Sequence, residues 1–366
     1  MKIAIITLHS PMNCGSVLQA YALYHWLQMK YENDEVSIIN YVPSYIETEG
    51  KGLRTLLRKT IFFRAYKKRK NNFKKFIDKN CHLTPLYTTY QQLIEKTPQA
   101  DVYITGSDQL WNPCFECGND PAYYLEFVNN VPKISYATSM GTKNYSAEQL
   151  SLIVTKIKDY SFVSLRESCS YFQLKNAGIN NIEWVCDPTF LLTPEHYNAL
   201  SVDYKKLGKY VAVYLVERSI LLDTILERFR LQGYKIVGVG GYLKKYKCDI
   251  HYKDAGPAEF IGLIRDSSFV VATSFHAAVF SQIFQKQFCI IPPKINAERI
   301  EQLLEYTEIQ ERIITNTLQV DNIFKKINYE EVQKKIDLLT IKSKTWLIKA
   351  IEEGKKAYDT NIMERI

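Results

Sequence analysis

No apolar run in this chain is long enough to cross a membrane, and the one in the opening "MKIAIITLHS" is far too short for the core of a secretory signal, so the protein is expected in the cytoplasm. Cysteine is present but scattered, at Cys14, Cys81, Cys114, Cys117, Cys169, Cys186, Cys248 and Cys289. Only "CFEC" at 114–117 brings two together, and no second CxxC or HxxxH pair accompanies it, which favours reduced thiols over a zinc site. The loop after the first apolar run lacks the G-x-G-x-x-G spacing of a dinucleotide fingerprint. Neither a repeat nor a low-complexity segment interrupts the chain. Nucleic acid is not expected as a partner, because no reading motif accompanies the positive charge.

What is there is a globular composition. Of 366 residues, 46% are hydrophobic and 23% charged, and 26 tyrosines with 17 phenylalanines argue against disorder. That length exceeds what a single core usually supports, so two domains are expected. Strand-like and helix-like stretches alternate, which means α/β. "KIAIIT", "SVLQAYALYHWLQMKY" and "VSIINYV" form a βαβ unit, with Leu18, Tyr21, Ala22 and Trp26 on one side of its helix. "DVYITG", "KISYATS", "FVSLRE" and "IEWVCDP" follow as short strands. A second series runs through "KYVAVYLV", "YKIVGVGG", "FVVATS" and "QFCIIP". The expected architecture is two doubly wound Rossmann-like domains, 1–200 and 201–330, facing a cleft. Their linker falls within 192–207, and a helical segment, 331–366, is placed to return to the first domain.

The net charge of +8 is uneven. Residues 54–80, "RTLLRKTIFFRAYKKRKNNFKKFIDKN", form a basic amphipathic stretch whose apolar members are Leu57, Ile61, Phe62, Phe73 and Phe76. Two readings stand: a solvated helix face, or peripheral contact with an anionic membrane at its inner face, which would suit a lipid-linked acceptor.

The chemistry-bearing residues cluster at strand ends. In "VVATSFHAAVFSQIF" an apolar run stops at Ser274 and His276 before helical spacing begins, and that junction is where open α/β sheets bind ligands. In "HSPMNCGSVLQAYAL", Asn13, Gly15 and Ser16 open a helix whose free backbone amides would favour an anion; a plain strand-helix turn is the competing reading. In "ITGSDQLWNP", Ser107, Asp108 and Gln109 follow a strand. Asp108 is placed to hold or deprotonate a sugar hydroxyl, or simply to cap a turn. For Ser135, Thr138, Ser139 and Asp187, turn and cap chemistry is the favoured reading. Arg166 could merely pair with the adjacent Glu167, or bind a phosphate or carboxylate through its fixed fork of donors, and Arg299, just past "CIIPP", is expected to face the cleft and add cationic charge. His276 is open to two readings: a satisfied, partly buried histidine, or a general acid or base, since imidazole is the side chain suited to proton transfer near neutral pH.

Taken in order, "NCGSVLQAYAL", "GSDQLWNP", "SYATSMG", "SLRE", "DPTFLL" and "SFHAAVFSQIFQKQF" resemble the polysaccharide pyruvyl transferase family. The resemblance implies a glycosyltransferase-B-like fold and transfer of pyruvate from phosphoenolpyruvate to a sugar hydroxyl of a cell-surface polysaccharide or its lipid-linked precursor, often as a cyclic ketal. By motif, Asp108 matches the acidic residue after the family's Gly-Ser, Arg166 its Arg-Glu arginine and His276 its signature histidine. Two positions depart: Ala277 stands where a glycine is usual, and Ser274 where some members carry arginine. The reaction so implied needs no metal or organic cofactor. Acid-base work falls to His276 and acceptor binding or deprotonation to Asp108. The alternatives are a nucleotide-sugar-dependent glycosyltransferase of the same fold and a non-catalytic sugar-binding or regulatory protein.

Overall fold

Apolar runs without polar alternation belong to strands covered on both faces, and they lie that way here. The structure, a computed structural model, describes residues 1–47, 62–141, 144–241 and 246–363. In the first half, β1 (Lys2–Ile6), β2 (Glu35–Ile38), β3 (Val102–Thr105) and β4 (Lys133–Ser135) make a parallel sheet in the order β2-β1-β3-β4. Its register sets Ile5 between Ile38 and Ile104, and Ile104 beside Ile134. β5 (Val163–Leu165) and β6 (Ile182–Trp184) pair with each other, and bridges from Ile134 to Phe162 and from Thr138 to Leu165 continue the parallel order outward. In the second half, β7 (Tyr210–Tyr214), β8 (Lys235–Val239), β9 (Ile250–Tyr252), β10 (Phe269–Ala272) and β11 (Phe288–Ile290) form a parallel sheet in the order β11-β10-β7-β8-β9. β9 has no counterpart in the sequence reading, since three half-buried residues carry no detectable period.

The helices are α1 (Cys14–Lys30), α2 (Ser44–Glu47), α3 (Phe63–Asn80), α4 (Tyr90–Glu95), α5 (Ala147–Ile157), α6 (Ser168–Asn176), α7 (Pro194–Leu200), α8 (Leu221–Leu231), α9 (Pro257–Arg265), α10 (Phe275–Ile283), α11 (Glu298–Tyr306) and α12 (Tyr329–Met363). α1 departs from the one-sided pattern read in its sequence: Cys14 through Leu23 is buried without a break. The cause is its position, because α1 packs against α9, α10 and the 3-10 turn Pro188–Leu191 as well as its own sheet. α10 is buried along its whole length. Both helices are therefore held within the core.

α7 occupies the segment expected to be a plain linker, opening on Pro194, whose fixed φ suits a first helical position. α12 lies against the first sheet: Trp346 meets Phe162 edge-on, Ser343 Oγ accepts from Cys186 N at 2.9 Å, and Lys355 approaches Asp101 at 3.5 Å. Of the basic stretch 54–80, residues 54–61, with Leu57 and Ile61, lie outside the described residues. α3 turns Phe73, Phe76 and Ile77 into the core, while Lys68 pairs with Asp254 and Asn72 Nδ2 donates to the Asp254 carbonyl at 3.0 Å. Phe73, Phe76 and Ile77 are thus used for packing, while Phe63 and most of the lysines of the helix remain toward solvent.

Candidate active site

The ends of β1, β3, β5, β6 and β10 meet where α1 crosses between the sheets. Arg166, one residue past β5, is buried, and Nη1 donates to Asp187 Oδ2 at 2.7 Å and to Ser107 Oγ at 3.4 Å. Its Nε reaches Glu167 Oε1 at 3.3 Å, while Nη2 is buried with no partner. Burial works against its charge, but Glu167, Asp187 and Asp108 outweigh that and raise its pKa. Asp187 is held on both oxygens: Oδ1 accepts from Thr189 N at 3.0 Å and Thr189 Oγ1 at 2.6 Å, Oδ2 from Arg166. Burial pushes its pKa up, yet His276 and Arg166 together hold it well below the usual carboxylate range.

Phe275, the first residue of α10, separates two guanidiniums. Arg166 lies 4.5 Å from its ring centroid and Arg299 5.7 Å. Burial, then repulsion from Arg166, lowers the Arg299 pKa to about 10, and its Nε is buried without a partner. Each guanidinium keeps a buried donor without a partner, and such donors suit an anion. The space beside them, lined by Arg166, Glu167, Asp187, Phe275, Arg299 and Gln302, measures about 30 Å³. That admits a water or two, whereas ligand pockets typically measure about 300–1,000 Å³.

His276 sits on the second residue of α10 with Nε2 3.5 Å from Asp187 Oδ2. Its ring lies directly over Gly15: a Cβ built there would fall 2.1 Å from Nδ1. Asp108 adopts φ 79°, a left-handed conformation that costs about 1–3 kcal/mol outside glycine unless its surroundings enforce it. Here Ser139 N donates to its carbonyl at 2.9 Å, Gln109 N donates to Oδ1 at 2.9 Å, and Ser16 Oγ donates to Oδ2. A cleft of about 370 Å³ opens beside it, lined by Asn13, Ser16, Tyr45, Asp108, Gln109, Phe115 and Glu116 among others.

Asp108, Arg166, His276 and Arg299 thus meet in one region. The expectation of free amides at the start of α1 needs correction: Asn13 Oδ1 accepts from Gly15 N at 2.9 Å and from Ser16 N at 3.4 Å. The positive helix end instead holds the Asp108 carboxylate through Ser16. Gln109 is also engaged, its Oε1 accepting from Asn112 and Asn296, each at 2.8 Å. Ser274 is the N-cap residue of α10 and makes no side-chain capping bond. Asp187 and Glu167, read in the sequence as a turn cap and as a pairing partner for Arg166, both meet Arg166 here. Asp187 does cap a turn through Oδ1, as expected, but nothing in "VCDPTF" signals that Oδ2 meets Arg166 and His276. Cys14, although close, is no nucleophile, because burial pushes its thiol up to about 12.

Over residues 13–294 the sequence matches the family model described as polysaccharide pyruvyl transferase. The chain belongs to that family. It is therefore a transferase, and a saccharide acceptor comes with the family. No curated protein matches this polysaccharide pyruvyl transferase. Among solved structures, UDP-N-acetylglucosamine 2-epimerase from Rickettsia bellii superposes with a TM-score of 0.53 at 9% identity, covering 96% of this chain and 97% of the other. UGT89C1 of Arabidopsis thaliana gives 0.51 at 9% identity, covering 97% and 99%. At such identity the likeness concerns the fold, a glycosyltransferase-B arrangement of two facing α/β halves. Among the described residues no helix is long and apolar enough to cross a membrane.

Proposed function

We propose that this polysaccharide pyruvyl transferase takes phosphoenolpyruvate as donor and joins its pyruvyl group to a hydroxyl of a cell-surface polysaccharide or its lipid-linked precursor, ending as a cyclic ketal. The observation that carries the reading is the pair of guanidiniums, Arg166 and Arg299, flanking Phe275 beside His276 and Asp108. A donor with a carboxylate and a phosphate matches two cations with unmatched donors. His276 protonates the methylene carbon, which becomes a methyl group and leaves an oxocarbenium-like centre. The acceptor hydroxyl attacks that centre and gives its proton to Asp108. A second hydroxyl then displaces inorganic phosphate and closes the ketal. Positioned proton transfer contributes about a hundred- to ten-thousandfold, leaving the rest to orientation and to charge stabilisation by the arginines.

Asn13, Ser16 and Gln109 line the acceptor cleft and orient the sugar; Ser107 and Ser274 flank the arginines and the histidine. The reaction is placed in the cytoplasm, and the lysine face of α3 offers contact with an anionic membrane that presents a lipid-linked acceptor. Calorimetry with phosphoenolpyruvate, followed by phosphate release with and without added saccharide, tests the reading. Donor binding and acceptor-dependent phosphate release are expected. Binding of a nucleotide sugar with no response to phosphoenolpyruvate would transfer the assignment to a glycosyltransferase, and binding of neither to a non-catalytic sugar-binding role.

A further inference from the structure

The two nitrogens of His276 face different surroundings. Nε2 is buried, has no hydrogen-bond partner of its own and lies 3.5 Å from Asp187 Oδ2. A Cβ built on Gly15 would fall 2.1 Å from Nδ1, 2.5 Å from Cγ and 2.8 Å from Cε1, so the start of α1 lies against the face of the ring on its Nδ1 side. Asp187 cannot turn away from the ring. Its side chain is 0% exposed, with Thr189 holding one oxygen through two bonds and Arg166 holding the other at 2.7 Å.

These contacts decide which nitrogen carries the proton. An unprotonated Nε2 would set a lone pair against a carboxylate where water does not intervene, while a protonated Nε2 donates to it. The 3.5 Å separation is of the kind that tightens when substrate binds. We propose that Asp187 is a positioning residue: it holds the Nε2–H edge of His276 and so makes Nδ1 the nitrogen that delivers the proton to substrate. The proposal rests on His276 being the proton donor. In the protonation step the Nδ1–H bond breaks as the new C–H bond of the methyl group forms, and the imidazole left behind keeps its Nε2–H against Asp187. Ser16, the residue after Gly15, holds Asp108, so the carboxylate proposed to take the hydroxyl proton is anchored one residue from the contact with the ring. Asp187, after β6, is the charged group against the ring, and Arg166 and Glu167 after β5, Asp108 after β3 and Arg299 on α11 cluster with Asp187.

The test needs no substrate. Protein labelled with nitrogen-15 at histidine yields long-range proton–nitrogen correlations from each ring, and those of His276 are identified by their loss in His276→Gln. With pH raised until the ring is neutral, the expected pattern is a protonated Nε2 and an unprotonated Nδ1. The opposite tautomer, or even exchange between the two, overturns the proposal. Because no donor is added, this outcome is independent of whether phosphoenolpyruvate is the donor, which calorimetry decides separately. In turnover, Asp187→Asn is expected to lower kcat on the order of a hundred- to ten-thousandfold while donor affinity holds or tightens, since it removes a negative charge beside Arg166. Asp187→Glu is expected to recover part of that loss. Wild-type kcat in Asp187→Asn, or a parallel collapse of donor binding that would make Asp187 merely a brace for Arg166, overturns it; should the variant not fold, the wild-type tautomer decides.

Discussion

Gly15 and His276 come from different halves of the chain, yet the helix start carrying the one lies flat against the ring of the other, with 2.1 Å between Nδ1 and the place a Cβ would occupy. That distance is far below any real Cβ contact. Glycine is required at this position by the approach of the imidazole and not by backbone conformation, for Gly15 is an ordinary helical residue.

Gly15→Ala is therefore expected to displace the ring by about an ångström or more while leaving the fold in place. Alanine is a better helix former than glycine by about 1 kcal/mol, which offsets part of the steric cost. Misplacing a reacting group by this much costs about a hundredfold. Steady-state phosphate release should fall by that order with little change in melting temperature; an unaffected rate would show that the ring position does not matter.

Arg299 offers a cleaner probe of anion binding than Arg166. Removing Arg166 leaves Asp187 and Glu167 as buried charges without their partner, a loss typically worth about 3–5 kcal/mol of stability, so its variant mixes folding with binding. Arg299 has no ion-pair partner among the described residues and keeps an unmatched Nε. Arg299→Met should weaken donor binding by about 1.5–3 kcal/mol, the usual worth of hydrogen bonds to charged groups, and leave thermal stability equal or improved. Calorimetry with the donor and a melting curve check both halves.

Asp108→Asn preserves a side chain that tolerates the left-handed backbone at φ 79° and can still accept from Ser16. Stability should change by less than about 1 kcal/mol. Proton acceptance is lost, so acceptor-dependent phosphate release should fall by about a hundredfold or more while donor affinity is retained. Equal loss of donor affinity would move Asp108 from the acceptor to the donor side.

Asp187 links stability to acid. Its folded pKa lies below the ordinary 3.8, so the unfolded chain takes up the proton first as pH falls. Its stabilising contribution is complete above that ordinary value and is lost as pH drops through the folded one. Urea midpoints should stay level near neutrality and decline below about pH 4. Arg166→Met, which removes the charge partner, should make that acid decline shallower; an unchanged slope would mean that other carboxylates govern it.

Much of the site was legible because strand ends announce themselves. A run such as "VVATSFH" switches period at the junction where a sheet delivers its side chains to a cleft, so Asp108, Arg166 and His276 could be named from local pattern alone. Asp187 could not. An aspartate before proline reads as a turn cap, and it is one; its second oxygen faces Arg166 and His276 only because β6 lies beside β5 and α10 crosses above them. The amides of Gly15 and Ser16 were misjudged for a related reason, since a helix start read as open is closed by Asn13, whose capping role depends on a loop conformation.

Sequence alone determined the α/β class, the strand order in time and the family, because hydrophobic period and short ordered motifs are local properties that survive without coordinates. Tertiary structure decided everything that depends on distance between remote segments. It held α1 within the core, turned Phe73, Phe76 and Ile77 of α3 into the core rather than outward, and set Gly15 under His276 and Asp187 beside it. These are consequences of how two sheets stack around one helix, and packing of that kind is a property of the assembled core, where each side chain's neighbours are fixed by the whole chain at once.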